Sequence, residues 1–394
     1  MSLGIIIFVV AILLVVMIHE SGHFLVAKAF DFKATKFFLG FGPTLWSFTK
    51  GETEYGVKAI PAGGFVKIVG MNPYEEVPPE DEERSYPNKP RWQRALVLVA
   101  GSGTHFIVAF LILWITAMTL GYPTGGASNK ILEVQRELDG KPTAAALNGF
   151  QPGDTIVGVG NDTHDSWGQI RSYIRAHPND AGTFTVEHDG DTRTVTVTLG
   201  SALFRGTDIV AYAPPGGELR APRKGETLKG FLGVNPEPEY GVFSVGGGFV
   251  DAGARTWDLT TNSVVGIGRV FSMVFGGELW HQITTPQATT DTRDSPLGLV
   301  GAAQIAGQSV QKGRYLDLIA LIVGFTVFVG LMNLLPLPPL DGGHLAVLVF
   351  ERITNRTVDM RKLIPLAAAV ISFFVLLFVA VLYLNIAHPI KLPF

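Results

Sequence analysis

Residues 12–27 read ILLVVMIHESGHFLVA, and this stretch decides how the rest of the chain is interpreted. His19 and His23 are four residues apart, so a helix carries both imidazoles on one face, where both can reach one zinc ion. Glu20 follows the first histidine and is suited to act as a base on water. Because residues 3–18 carry no charge, these ionisable groups are expected at membrane depth, where they are costly and therefore functional candidates. The stretch predicts peptide hydrolysis within a bilayer.

The composition favours a membrane enzyme. Hydrophobic residues make up 47% of the 394 residues and charged residues only 16%, and the mean hydropathy of +0.30 is unusual for a soluble chain of this length. A net charge of −3 argues against nucleic acid as a partner. Because the chain has no cysteine, zinc must be held by His, Asp or Glu, and any domain outside the cytoplasm folds without disulfides.

Four apolar segments are long enough to cross a bilayer, which takes about 20 residues. After the N-terminal segment they lie at residues 95–120, 318–335 and 363 to about 384. Lys and Arg flank the connection between the first two spans and the connection between the last two. The positive-inside rule therefore places both connections in the cytoplasm, and both termini and the region 121–315 outside. The metal site is then expected toward the cytoplasmic side of a bacterial cytoplasmic membrane.

Residues 40–71, between the first two spans, predict a small membrane-associated β-sheet. The segments 53–61 and 63–71 have the pattern of strands, with Gly63 and Gly64 at the turn between them. Non-helical backbone near membrane depth must be covered by protein or a water-filled cavity. An unpaired edge of this sheet would let an unwound substrate add as a strand. A plain cytoplasmic hairpin is the alternative interpretation.

The region outside the membrane begins with an α+β pattern over residues 129–202. A strand at 131–134 precedes a short helix at 143–147, and a Pro-Gly-Asp turn leads into a strand at 155–159. These elements, with a helix and a hairpin after them, resemble a PDZ domain, a fold that binds peptides by strand addition. Residues 203–310 are expected to form an extracytoplasmic linker followed by amphipathic helices on the outer membrane face.

A second chemical signal lies at residues 333–344, which read NLLPLPPLDGGH. Three prolines and two glycines are expected to break the helix near Asp341. A catalytic zinc site commonly uses three protein ligands, and the third can be a carboxylate. Asp341 is therefore the candidate third ligand, supplied when the first and third spans pack together. A helix-capping role for this aspartate is the alternative.

Together these segments resemble the site-2 protease family of intramembrane zinc metalloproteases, in particular the bacterial members that regulate sigma-factor signalling and carry a PDZ domain. The motifs at residues 19–23 and 333–342, the sheet and the PDZ-like segment follow the family order over nearly the whole chain. The resemblance implies zinc ligands at His19, His23 and Asp341, with Glu20 as the catalytic base. It also implies that substrate is positioned by Asn333, Pro336 and Pro338.

The second span departs from the pattern of this family. The family usually carries Ala-Gly-Pro-x-x-Asn there, whereas residues 100–105 read AGSGTH. Ser102 and His105 thus stand where proline and asparagine are usual. Two interpretations of His105 remain open: it hydrogen-bonds in place of the asparagine, or it lines a polar cavity.

The sequence therefore predicts an α-helical polytopic membrane protein with about four transmembrane helices, a small membrane-associated β-sheet and an extracytoplasmic α+β PDZ-like domain. Residues 1–120 and 315–394 would form the two halves of the membrane domain. The expected function is zinc-dependent intramembrane proteolysis of a single-span membrane protein after a first cut by a site-1 protease. By resemblance, an anti-sigma factor or a remnant signal peptide fits as substrate. The alternatives are a metal transporter, although no internal repeat is visible, and an inactive scaffold, against which the intact Glu20 argues.

Overall fold

The computed structural model describes residues 2–72, 74–160, 162–163, 166–284 and 297–387. The chain divides into two compact units. The first, called here the membrane unit, combines Met1–Ala117 with Ser244–Pro393 as far as these are described. The second, called the inserted unit, is Met118–Phe243. Each is considered by itself.

The membrane unit begins with two long apolar helices separated by a sheet. Leu, Ile and Val dominate the first helix, which ends just before Asp31, a residue in the left-handed region with φ of 54°. The elements in order are α1 (Ser2–Ala29), β1 (Ala34–Lys50), β2 (Thr53–Ile68) and α2 (Arg91–Thr119).

The first part of β1 lies between two different parts of β2, so the sheet is not a simple two-stranded hairpin. Residues 34–39 of β1 pair with residues 64–68 of β2 on one side and with residues 54–57 of β2 on the other. The two strands predicted at 53–61 and 63–71 are therefore the two arms of β2, which turns back on itself at the predicted glycines. Sequence reasoning missed the start of β1, because the predicted sheet began at residue 40. Residues 64–68, called here the edge arm, pair with no further strand within the described parts of the chain.

An ion-pair network fixes the far end of this sheet to the end of α1. Glu52, in the turn between β1 and β2, accepts hydrogen bonds from Arg84 at 2.7 and 2.9 Å and from Lys28 of α1. The hydrogen bond from Arg84 is the main reason that the pKa of Glu52 is lowered to about 2. These ion pairs therefore hold the sheet against α1, the helix that carries His19, Glu20 and His23.

The inserted unit contains a larger sheet, a smaller sheet, a separate two-stranded hairpin and two short helices. In the larger sheet the strands run in the order β13-β3-β6-β8-β9, with β7 beside β6, and in the smaller one β11-β10-β12. The core of the larger sheet includes Ile131, Ile156, Ile170 and Phe184, all without exposed surface. The elements are β3 (Tyr122–Val134), β4 (Glu137–Leu138), β5 (Lys141–Pro142), α3 (Ala144–Leu147), β6 (Thr155–Val159), β7 (Asp162–Thr163), α4 (Trp167–Ala176), β8 (Ala181–His188), β9 (Asp191–Thr198), β10 (Gly200–Arg205), β11 (Asp208–Ala213), β12 (Thr227–Phe231) and β13 (Val234–Gly241).

The structure places the end of this unit later than the sequence suggested. Residues 203–243, expected to be linker, contribute β11, β12 and β13, and β13 pairs with β3 from Val134↔Val234 to Tyr122↔Gly241. The sequence of this Gly/Pro-rich region carries only hints of strands, so it does not assign them to the domain. Pro236 and Pro238 are tolerated because β13 is an edge strand, where a missing N–H breaks no ladder.

The membrane unit resumes with helices that surround α1 and α2. Helix α5 contacts α2 through Phe249, whose ring lies 5.0 Å from that of Phe110, and contacts α10 through Phe271. Helix α7 packs on α1, with Ala306 beside Phe8. The elements are α5 (Val245–Phe275), α6 (Glu278–Thr284), α7 (Leu299–Gln311), α8 (Tyr315–Asn333), α9 (Asp341–Thr354) and α10 (Ile364–Ala387). The location of α5 to α7 on the outer membrane face stays a prediction.

Four helices within the described residues are long and apolar enough to cross a membrane. They are Leu3–Ala29, Arg91–Thr119, Tyr315–Asn333 and Met360–Ile386. The prediction of four helices able to span a membrane is confirmed, and the three with stated bounds lie within about four residues of them. The expected break before Asp341 is also present, between the end of α8 and the start of α9.

We expect the buried carboxylate of Glu226 to hold the segment between β11 and β12 in place. It accepts hydrogen bonds from Arg205, Arg220 and the backbone N–H of Arg223, and the hydrogen bond from Arg220 is the main cause that lowers its pKa to about 2. The ionised Glu226 therefore stabilises the folded state above about pH 4.5, and this contribution is lost as the pH falls toward 2. At pH 7, Glu226→Gln should speed tryptic cleavage at Arg220 and Arg223 of the full chain in detergent micelles.

The control for this prediction is Glu218→Gln, because Glu218 is an exposed carboxylate on the same segment. It should be cleaved at the wild-type rate. Equal cleavage of wild type and Glu226→Gln would show that the Glu226 network does not order the segment.

Candidate active site

Three potential ligand atoms from distant parts of the chain converge in the membrane unit. His19 Nε2 and His23 Nε2 are 3.1 Å apart, and Asp341 Oδ2 lies 3.3 Å from the first and 3.2 Å from the second. Both histidines are buried and the aspartate is nearly so. Within the described residues this is the one group of three such side chains close enough to share a metal ion.

The dimensions of this triangle fit zinc. A tetrahedral zinc ion with bonds of about 2.0–2.1 Å to nitrogen and oxygen keeps its ligand atoms about 3.3–3.4 Å apart. The three observed separations, 3.1 to 3.3 Å, are close to that value. Asp341 Oδ2 is also buried without a hydrogen bond of ordinary geometry, as expected of an oxygen whose partner is a cation. Two imidazoles and one carboxylate would leave a fourth position open, which is the arrangement of catalytic zinc sites.

Two glycines allow α1 and α2 to approach closely enough to build the site. A Cβ on Gly101 would lie 2.2 Å from His23 Nε2 and 2.8 Å from His19 Cε1, so only glycine lets α2 pass directly against both rings. On the opposite helix, a Cβ on Gly22 would lie 2.5 Å from the carbonyl oxygen of Ala100. Gly22 and Gly101 therefore both permit the close contact between α1 and α2.

The backbone before Asp341 explains the Asp-Gly-Gly sequence. A Cβ on Gly342 would lie 2.2 Å from the carbonyl oxygen of Leu334, and one on Gly343 would lie 2.5 Å from the nitrogen of Pro338. The connection between α8 and α9 thus folds tightly over the first turn of α9. Asp341 is the first residue of that turn, which directs its carboxylate to the two histidines.

Each histidine also has a partner on its other ring nitrogen. His23 Nδ1 lies 2.7 Å from the carbonyl oxygen of Val97, and His19 Nδ1 lies 3.1 Å from His105 Nε2. Partners of this kind fix the ring orientation and the tautomer of metal-binding histidines. Sequence reasoning missed Val97, because a backbone carbonyl carries no residue-type signature.

Glu20 lies between the three ligand atoms and the edge arm. Its carboxylate interacts with His19, His23 and Asp341 and with the backbone amide of Val66. A Cβ on Gly64 would lie 3.2 Å from Glu20 Cγ, so the edge arm passes close by. Glu20 is half-buried and points toward the same cluster as the ligand atoms without being part of the triangle.

A cleft of about 370 Å³ runs along the edge arm. It is lined by Phe65, Val66, Lys67 and Ile68 of the edge arm, by His344 of α9, and by Met71, Asn72 and Glu75. The sequence predicted the strand edge but assigned no role to His344. That residue follows Asp341 by three positions, which on a helix brings both to the same side.

The three residues expected to position substrate are close in sequence to the site, but their roles stay predictions. Asn333 is the last residue of α8, and Pro336 and Pro338 lie in the connection that leads to Asp341. All three are partly accessible to solvent.

Comparison with known proteins decides the class of this chain. The sequence model of Peptidase family M50 matches it over residues 7–379. The chain belongs to this family. It is similar to Zinc metalloprotease Rip1 of Mycobacterium tuberculosis, with 32% identity over 99% of this chain and 98% of the relative. Metalloprotease MmpA of Caulobacter vibrioides is 29% identical over 87% of this chain and 85% of the relative. Zinc metalloprotease RasP of Geobacillus kaustophilus is 25% identical over 91% of this chain and 92% of the relative.

Family membership confirms the enzyme class predicted from the sequence. The chain is a site-2-type zinc metalloprotease with Zn²⁺ as its cofactor. It is a multi-pass membrane protein, and its substrates are membrane proteins. Neither a metal transporter nor an inactive scaffold is supported.

The first prediction at this site separates ligands from base. Replacing His19, His23 or Asp341 with alanine should lower both zinc content and proteolysis. Glu20→Gln should keep its zinc while proteolysis falls by on the order of 1,000-fold, because an amide cannot accept the proton that a carboxylate accepts. Zinc analysis of the purified proteins alongside a cleavage assay measures both effects. Full zinc and full turnover in Asp341→Ala would remove that residue from the ligand set.

The second prediction tests the helix crossing with two identical substitutions on one helix. Gly101→Ala places a methyl group against both histidine rings and should cut proteolysis by on the order of 100-fold, because small displacements of catalytic groups are costly. Gly103→Ala is the control, since a Cβ there meets no atom within 4 Å and activity should stay near wild type. Equal activity of the two variants would contradict the packing described here.

Proposed function

We propose that this protein hydrolyses a peptide bond of a membrane-spanning substrate at a zinc ion held by His19, His23 and Asp341. The observation that carries this proposal is the triangle of ligand atoms, with sides of 3.1 to 3.3 Å. The metal-content and cleavage measurements on the ligand and base variants test it directly.

In the proposed reaction, Glu20 moves the proton. Zinc, when bound, supplies a Lewis acid that polarises the scissile carbonyl and makes water a better nucleophile. The Glu20 carboxylate accepts the proton of the attacking water and returns it to the nitrogen of the leaving amine. Asn333 donates a hydrogen bond to the oxygen that gains charge during attack. Pro336 and Pro338 restrict the backbone of the tightly folded connection before Asp341 and so hold it in one position beside the substrate.

We also propose that the substrate binds as an added strand on the edge arm. A transmembrane helix conceals its peptide bonds inside its own hydrogen bonds, so it must unwind before hydrolysis. The edge arm offers an unpaired strand edge, a cleft follows it, and Glu20 lies close to Gly64. Val66 is central, because its backbone amide faces Glu20 and therefore points away from β1.

Val66→Pro tests the added strand. Proline removes the outward N–H of the edge arm without breaking the ladder to β1, so a substrate strand loses one hydrogen bond, which is about 1 kcal/mol or roughly a fivefold to tenfold loss in kcat/KM. Because the same N–H faces Glu20, the pH dependence of kcat/KM is measured as well: it should keep its wild-type form if the loss comes from the substrate strand and not from a changed base. Val66→Ala keeps the N–H and should cleave substrate nearly as wild type does. Zinc content should be unchanged in both. Wild-type cleavage by Val66→Pro would exclude strand addition at this position.

We further propose that the catalytic site lies toward the cytoplasmic side and that the inserted unit is a PDZ-like domain outside the membrane. The supporting observation is the concentration of Lys and Arg in the connections between spans one and two and between spans three and four. The substrate would be a single-span protein, such as an anti-sigma factor or a remnant signal peptide, after a site-1 protease has removed its bulky outer part. The inserted unit then acts as a size filter that rejects uncut substrate.

The pairing of β3 with β13 makes a clean deletion possible. Because Tyr122 and Gly241 face each other, residues 122–241 can be removed and the two ends joined by a short Gly/Ser linker. A size filter predicts that this variant cleaves untrimmed substrate and still cleaves trimmed substrate. Continued rejection of the untrimmed form would refute the filter, and loss of both cleavages would indicate a role in recruitment or folding.

A further inference from the structure

The side chain of His105 is buried beside the candidate zinc ligand His19, a contact that the sequence did not predict. It lies on α2 without exposed surface, and its Nε2 is 3.1 Å from Nδ1 of His19. Its own Nδ1 is buried and has no hydrogen-bond partner within the described residues. A histidine that merely fills a core normally has both ring nitrogens satisfied. Among the described residues, the one hydrogen bond that the His105 side chain makes is to a candidate zinc ligand.

The tautomers follow from the triangle of ligand atoms. A histidine that binds a metal through Nε2 carries its proton on Nδ1 and donates it outward. His23 finds the carbonyl oxygen of Val97, which can only accept. His19 finds His105 Nε2, which accepts when the proton of His105 is on Nδ1. The two ligands thus have acceptors of different kinds, a backbone carbonyl and a side chain.

Packing holds His105 in this position. A Cβ on Gly330 of α8 would lie 2.8 Å from His105 Cβ, so α8 closes directly over it. On its other side the His105 ring is tilted by 36° against the ring of His19, with centroids 5.1 Å apart. His105 therefore has little freedom to turn away. Its acceptor nitrogen stays directed at His19.

We propose that His105 is a positioning residue for the zinc site: it accepts the Nδ1 hydrogen of His19 and so holds that ring with Nε2 directed at the metal. The proposal rests on the proposed ligand role of His19. It favours the first of the two interpretations of His105 drawn from the sequence, with an imidazole acceptor on the second span in place of the usual asparagine.

Two variants separate an acceptor from a space-filling ring. His105→Phe keeps a ring of similar size but has no acceptor, whereas His105→Gln keeps an acceptor oxygen. Outer partners of zinc-binding histidines are typically worth about 10- to 100-fold in metal affinity. We therefore expect His105→Phe to bind zinc about 10- to 100-fold more weakly in a chelator competition, and His105→Gln to recover most of that loss. Ser102→Ala, which changes another buried side chain on α2, should bind zinc as wild type does.

Cobalt provides a readout that a purely structural role would not change. With Co²⁺ in place of zinc, the visible absorption bands report ligand geometry, and they should shift in His105→Phe but not in His105→Gln or Ser102→Ala. Wild-type zinc affinity and an unchanged cobalt spectrum in His105→Phe would overturn the proposal. Equal losses in the Phe and Gln variants would also overturn it, because the acceptor would then be irrelevant. If His19→Ala keeps its zinc, the proposed ligand set itself fails, so the two failures are distinguishable.

Discussion

The central constraint on this structure is the free-energy cost of burying two imidazoles and a carboxylate side by side between apolar helices. Such groups are expensive to bury unless each has a partner, and a shared cation satisfies all three at once. The three candidate ligand atoms come from the C-terminal half of α1 and the start of α9, more than 300 residues apart in the chain. Close approach of the helices around them is therefore a requirement, which is met by glycines at positions 22, 101 and 330.

The sheet and helix α9 connect the candidate metal site to the cleft in which substrate would lie. The sheet is anchored to the end of α1 through Glu52, and its edge arm passes Glu20 at close range. Helix α9 supplies Asp341 to the triangle and His344 to the cleft. A substrate strand in that cleft would thus lie between a sheet fixed to the first span and a helix fixed to the third. The elements that would hold the metal are also those that would align the peptide bond.

Much of this could be predicted because its signals are local. The i, i+4 spacing of His19 and His23 and the apolar runs of the four spans follow from helix geometry and bilayer thickness. The break before Asp341 follows from its prolines and glycines. Strands β11 to β13 carry weaker signals, because β11 and β12 are short, Gly or Pro interrupts β12 and β13, and β13 is completed only by pairing with the distant β3. The carbonyl of Val97 and the cleft partner His344 are products of packing, and no residue pattern marks them.

X-ray absorption at the zinc edge of the zinc-loaded Glu20→Gln protein tests the central claim most directly. The account predicts nitrogen and oxygen ligands only, at about 2.0–2.2 Å, with outer-shell scattering from two imidazoles. Replacement of His19 by alanine in that background should leave one imidazole at most. Scattering from three imidazoles would contradict the account, because it would place a third histidine, such as His105 or His344, on the metal at the position that the account leaves open for water.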